Sequence, residues 1–274
     1  MCDIMKEADY KVATIDWLIN RGYLEHDAVL INELPVDNFS RRADLVVANG
    51  KLHAFEIKSD ADSLARLQGQ IETYLAFFDK VTLVCSPKFT NKAIEMLPNM
   101  VEILELEINS QGDASLKVKR RGRIEKVGTA SDFLSFVDKR HLVTSLKSKK
   151  LACQLSETRS ALNAKLSRLP KSHWRNLVLD YLKNKYRPTY QSFLANKHDI
   201  TEVSDLTYLS PQKLQTEPDQ MDITRTRDDV WEINIDGAKV IAESGVDISE
   251  SMNQFGFVTS KPIKVIPRVL KQAT

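Results

Sequence analysis

The stretch Arg42–Ser59, RADLVVANGKLHAFEIKS, decides the fold. Two apolar, β-rich runs, RADLVVA over 42–48 and LHAFEI over 52–57, flank Asn49-Gly50, a pair that favours a tight turn. They read as antiparallel strands. A charge on so apolar a strand needs a reason, and this stretch places Asp44, Glu56 and Lys58 there. Glu56 and Lys58 are two residues apart, so in an extended strand both point to one face, away from Phe55 and Ile57. Parity decides whether Asp44 joins them. A two-residue Asn49-Gly50 turn would pair Ala48 with Lys51 and set Asp44 opposite Phe55, on the wrong face. A three-residue loop of Ala48, Asn49 and Gly50 pairs Val47 with Lys51 and sets Asp44 opposite Ala54, with Glu56 diagonal on the same face. We therefore expect an odd-length loop or a bulge between Asp44 and Glu56, with Gly50 left-handed and the two carboxylates close enough to share one metal.

Working outward, a helix is expected from about Lys6 to Gly22, where Ala8, Val12, Ile15, Leu18 and Ile19 recur at helical spacing. A further strand, AVLINEL over 28–34, precedes the decisive stretch and completes an antiparallel meander. A second helix is expected over 62–78, with Ser59, Asp60 or Asp62 as its cap, then a strand over 80–86, a helix over 90–97 and a strand over 101–106. The order is α-β-β-β-α-β, then α-β. Beyond it, 131–141, 151–166 and 172–186 read as helices, with a break at Arg187-Pro188 and a short helix ending near Lys197. Strand-like runs at 230–235 and 238–242 surround Asp236-Gly237.

Two carboxylates converging from adjacent strands make a hard oxygen site of the kind Mg²⁺ or Mn²⁺ takes, and a same-face ammonium can orient a water and offset charge developing on a phosphoryl group. Asp44, Glu56 and Lys58 in this order of elements resemble the PD-(D/E)xK nuclease superfamily over about residues 5–87, with Ala43 where the name-giving proline would stand. The resemblance implies a restriction-endonuclease-like αβββαβ core, metal ligands at Asp44 and Glu56 with Glu33 as an added acid, and Lys58 as the water-positioning residue. Gln70 and Tyr74, four apart on one helix face, resemble the Q-x-x-x-Y signature of RecB-like and Cas4-like branches, where these residues support the site and the substrate phosphate. The runs R-x-D at 42–44, E-I-K-S-D at 56–60 and R-L-x-x-Q-I at 66–71 are similar to MmcB-like bacterial nucleases. The implied activity is Mg²⁺- or Mn²⁺-dependent hydrolysis of phosphodiester bonds, in DNA ahead of RNA, in a repair, phage-defence or mobile-element setting. A rival reading keeps the fold without turnover, as a DNA-binding or assembly subunit of a defence or repair system.

Composition agrees with a globular protein: 274 residues, 42% hydrophobic, 28% charged, and three scattered cysteines that suit neither a disulfide framework nor an iron-sulfur cluster. No apolar run approaches the ~20 residues of a bilayer span, so a cytoplasmic protein without a membrane partner is expected. The net charge of +2 conceals a split, with −8 over residues 1–116, +14 over 117–187 and −4 over 188–274. Such a basic block attracts a polyanion through counterion release. The expected organisation is a nuclease domain at 1–112, a basic, mainly helical nucleic-acid-binding region at 113–198 and an acidic segment at 199–274. Candidate nucleic-acid contacts are Arg42, Arg66, Lys119, Arg120, Arg121, Arg123, Lys149 and Lys150, and the absence of a phosphate-loop motor motif leaves room for a protein partner or a homodimer.

Overall fold

A computed structural model describes residues 5–109, 114–210, 231–233 and 263–265. The chain divides into two compact units, Met1–Gln215 and Thr216–Thr274. In the first, the elements are α1 (Glu7–Asn20), β1 (Val29–Val36), β2 (Arg41–Ala48), β3 (Leu52–Lys58), α2 (Leu67–Phe77), β4 (Lys80–Cys85), α3 (Pro87–Met96), β5 (Glu102–Ile108), β6 (Ala114–Arg120), α4 (Ala130–Leu134), α5 (Lys139–Ser148), α6 (Arg159–Leu166), α7 (Lys171–Asn196) and, after a 3₁₀ turn, α8 (Leu206–Leu209). In the second, β7 (Trp231–Ile233) pairs antiparallel with β8 (Ile263–Val265), and the strand-like run expected at 238–242 lies outside the described residues. No described helix is long and apolar enough to cross a membrane.

The fold is mixed α/β around one six-stranded sheet of order β1-β2-β3-β4-β5-β6. β1, β2 and β3 form the expected antiparallel meander, β3, β4 and β5 run parallel, and β6 closes the edge antiparallel. Every residue of β3 and β4 is buried, which is why these central strands read as nearly unbroken apolar runs. The parallel connections need crossovers, and α2 and α3 supply them.

The β2–β3 loop is odd, as expected from the parity of Asp44 and Glu56, but it is Asn49-Gly50-Lys51, with Ala48 paired to Leu52 and Leu45 to Phe55. Each pair of numbers sums to 100, so Asp44 falls opposite Glu56 rather than opposite Ala54. Gly50 takes φ +92°, the left-handed conformation expected of it.

Several elements differ from the sequence expectation. α2 starts at Leu67 instead of residue 62, because Asp62 turns back to accept from the Ser59 amide (2.8 Å) and hydroxyl (2.6 Å) and so closes a turn rather than capping the helix. The run 131–141 is broken between α4 and α5, where Asp138 accepts from the His141 amide and starts a new helix. Of 151–166 only Arg159–Leu166 is helical, with Thr158 as its cap. α7 passes through Pro188 without a break, since Tyr190 and Phe193 beyond it are buried in the core and hold the helix on. The basic block also begins with a strand, β6, rather than a helix.

Candidate active site

Three acids meet across the meander. β1 and β2 are in continuous register on either side of Glu33 and Asp44, with Asn32 paired to Leu45 and Leu34 to Ala43, so the two acids oppose each other where the ladder is interrupted. Glu33 sits there with φ +60°. One carboxylate oxygen from each of Glu7, Glu33 and Asp44 lies within 4.8 Å of the other two. Glu7, in the first turn of α1, carries no signal in the sequence beyond the helical spacing of its neighbours. Its partner Lys11, one turn on, lies 2.9 Å from it and also binds Glu33. The guanidinium of Arg42 reaches the other oxygen of Glu33.

Glu56 lies beside this cluster, buried, with Lys58 Nζ 2.5 Å from its Oε1. The Tyr74 hydroxyl is 2.9 Å from Glu56 Oε2 and 2.6 Å from the Arg42 carbonyl, and its single proton serves one acceptor at a time. The Ile57 amide donates to Asp44 Oδ2 at 2.7 Å and fixes that carboxylate on the strand. Burial pushes the Asp44 carboxyl well above its ordinary range, and the charge of Glu56 adds to the rise against the opposing Ile57 amide and Lys11. Burial raises Glu56 also, against the lowering pull of Lys58, Tyr74 and Gln70. Burial and the neighbouring Glu56 keep the Tyr74 phenol protonated, so it acts as a donor.

The sequence-derived set thus comes together, with one change of grouping. Glu33 and Asp44 converge with Glu7, while Glu56 is engaged by Lys58 and Tyr74. Glu56, Lys58, Asp44, Gln70, Arg42 and Arg66 line one cleft of about 520 Å³, to which the exposed Arg41 and Phe39 contribute. Gln70 Oε1 is buried there without a hydrogen-bond partner. Glu7, Glu33 and Asp44 are the residues that could hold a hard cation such as Mg²⁺ or Mn²⁺, which takes oxygen ligands.

The basic candidates separate. Lys119 pairs with Glu105 at 2.7 Å and Glu107 at 3.1 Å, and Arg120 donates to the carbonyls of Ile94, Leu97, Pro98 and Val101. Lys119 thus ties β6 to β5, and Arg120 ties it to the end of α3 and the connection that follows. Arg121, Arg123, Lys149 and Lys150 are exposed.

Residues 1–210 match the family model of bacteriophage P4 protein cII. Protein cII of Enterobacteria phage P4 is 38% identical over 215 residues, which cover 78% of this chain and 81% of that protein. Among solved structures, the SPO1766 protein of unknown function from Silicibacter pomeroyi aligns with 57% of this chain and 99% of its own at 19% identity, with a TM-score of 0.34, too low a likeness to bear on fold or function.

Proposed function

We propose that this chain, which belongs to the bacteriophage P4 protein cII family, is a divalent-metal-dependent phosphodiesterase acting on DNA, built on a restriction-endonuclease-like αβββαβ core of the PD-(D/E)xK type. One observation carries this reading: Glu7, Glu33 and Asp44 bring carboxylate oxygens within 4.8 Å of one another, beside a cleft that Glu7 and Asp44 line together with the Glu56–Lys58 pair. Four carboxylates at one place repel one another, and although Lys11, Arg42 and Lys58 offset part of this, a divalent cation is what such a set of oxygens favours.

Glu7, Glu33 and Asp44 would hold Mg²⁺ or Mn²⁺, with Glu56 beside them. The cation supplies Lewis-acid polarisation of a phosphoryl oxygen. Lys58, tied to Glu56 and largely buried where it lines the cleft, orients the attacking water and faces the negative charge that grows on the phosphoryl group. Tyr74 holds Glu56 in one rotamer, and the Gln70 amide lies on the same carboxylate from the next turn of α2. Arg42 and Lys11 neutralise Glu33 in the absence of the cation, and the exposed Arg66 and Arg41 line the path of the phosphate backbone.

The test is incubation of the full chain with linear, circular, nicked and single-stranded DNA and with RNA, in Mg²⁺, Mn²⁺ or EDTA. Cleavage of DNA is expected with metal and not with EDTA. Asp44→Ala and Lys58→Ala should each lower it at least a hundredfold while circular dichroism stays unchanged, on the scale of losing about 3 kcal/mol of transition-state stabilisation. Wild-type turnover by Lys58→Ala, or no cleavage of any substrate, would reject the reading.

A further inference from the structure

β1 and β2 are joined by the tight turn Asp37–Ser40, closed by the Ser40 amide donating to the Asp37 carbonyl at 3.0 Å and the Ser40 hydroxyl to Asp37 Oδ2 at 2.8 Å. Asp37, Asn38 and Phe39 follow one another with φ of +49°, +51° and +70°. Aspartate and asparagine tolerate this conformation, whereas a bulky aromatic residue is strained in it. Phe39 also buries nothing, since it is 84% exposed. Neither backbone conformation nor core packing therefore accounts for a phenylalanine at this position, where glycine or asparagine would fold better.

Its location supplies a reason. Phe39 lines the same cleft as Asp44, Glu56 and Lys58, and the other exposed residues lining it are the cations Arg41, Arg42 and Arg66, with Ser40 and Glu7. An apolar ring set among guanidinium groups beside a phosphate-directed acid cluster matches the two-part chemistry of a nucleotide strand, a charged backbone and an apolar base face. At about 3.4 Å per strand residue, Phe39 stands on the order of 15 Å from Asp44 along the hairpin, a few nucleotides from the reacting phosphate.

We propose that Phe39 is a substrate-positioning residue that stacks on an unpaired base of the DNA strand running through the cleft, a few nucleotides from the bond to be cut. The proposal rests on the nuclease reading above and adds to it the requirement for a single-stranded or locally opened segment. The turn presents the ring to solvent, where an incoming base can reach it.

The test uses the full chain in an Asp44→Asn background, in which cleavage is blocked, and fluorescence anisotropy with a single-stranded oligonucleotide carrying one abasic site at successive positions. Phe39→Ala should weaken binding of the intact strand about tenfold, the scale of losing one base–aromatic stack, and Phe39→Trp should bind within about twofold of the parent. At one position the abasic site should weaken the parent by the same factor and leave Phe39→Ala unaffected. Phe39→Gly should melt no lower than the parent, which separates a folding role from a binding one. Equal binding by the parent and Phe39→Ala, or abasic effects that are the same in both at every position, would overturn the proposal. So would a change of molecular mass in Phe39→Ala with DNA affinity intact, which would make the ring a protein contact. Failure of the parent to bind any DNA would instead remove the nuclease reading, and this proposal with it.

Discussion

At the scale of single residues, Glu33 is the position where function and folding pull apart. It lies inside β1, opposite Asp44, yet its φ of +60° departs from the strand on either side. A non-glycine residue in the left-handed region costs about 1–2 kcal/mol, and like charges opposed across a strand pair add to that cost. Strain of this kind persists where the surroundings over-determine it, and here Lys11 and Arg42 grip the carboxylate from two sides. Glycine at 33 releases the backbone cost and removes the carboxylate, whereas alanine removes the carboxylate and keeps the cost. In urea unfolding, Glu33→Gly should therefore be about 1 kcal/mol more stable than Glu33→Ala, although helix and strand scales both rank glycine below alanine. Alanine as the more stable variant would mean that the backbone at 33 is not held in this conformation.

At the scale of elements, the helices after the sheet are fastened to it by one buried aspartate. Asp79, in the corner between α2 and β4, accepts from the Leu52 amide at 2.9 Å, the Val127 amide at 3.0 Å and Arg175 of α7 at 2.6 Å. Its carboxylate thus ties β3, the segment after β6 and the longest helix to one point, and both partners of its ion pair are almost fully enclosed. Removing one member of such a pair leaves the other buried and uncompensated, so Asp79→Ala should cost roughly 3–5 kcal/mol in urea unfolding. Asp27, which Lys183 and Arg187 of the same helix hold down at a carboxyl value of about 2, is exposed, and Asp27→Ala should move the midpoint less than Asp79→Ala although it takes a partner from the largely buried Lys183. Equal losses for the two variants would place the fastening elsewhere.

The elements also show why some of this was legible from residues and some was not. The meander was, because period-two patterning around Asn49-Gly50 is local and its parity fixes the face of Asp44. The start of α2 was not, because Asp62 chooses between two backbone donors and the choice depends on where Ser59 leaves β3. Pro188 argued for a helix end on local grounds and lost to the burial of Tyr190 and Phe193. Glu7 joined the acid cluster through the packing of α1 across the sheet, a long-range event with no signature in spacing.

For the whole molecule, the charge split needs rereading, because a residue's sign does not say whether its charge is available to a partner. Of the +14 carried by residues 117–187, a share is spent within the fold. Lys117 and Lys119 are set against Glu105 and Glu107, Lys165 against Glu157, Arg175 against Asp79, and Lys183 and Arg187 against Asp27. Lys149 and Lys150 differ. They are exposed at the end of α5, and among the described residues neither enters an ion pair. If a polyanion lies along this region, each cation that meets a phosphate releases condensed counterions and contributes about 0.9 to the slope of log K against log salt for duplex DNA, or about 0.7 for a single strand. Charge reversal in Lys149→Glu/Lys150→Glu should therefore flatten that slope by between one and two, with the melting temperature unchanged. Lys119→Ala should do the opposite, lowering the melting temperature by removing the ion pair of the buried Glu105 and one of the two on Glu107 while the salt slope stays put. Anisotropy titrations at four or five salt concentrations, beside thermal melts of the same variants, read both quantities. A slope unchanged in the double variant would return Lys149 and Lys150 to a solvated face and confine DNA contact to the arginine-lined cleft around Asp44.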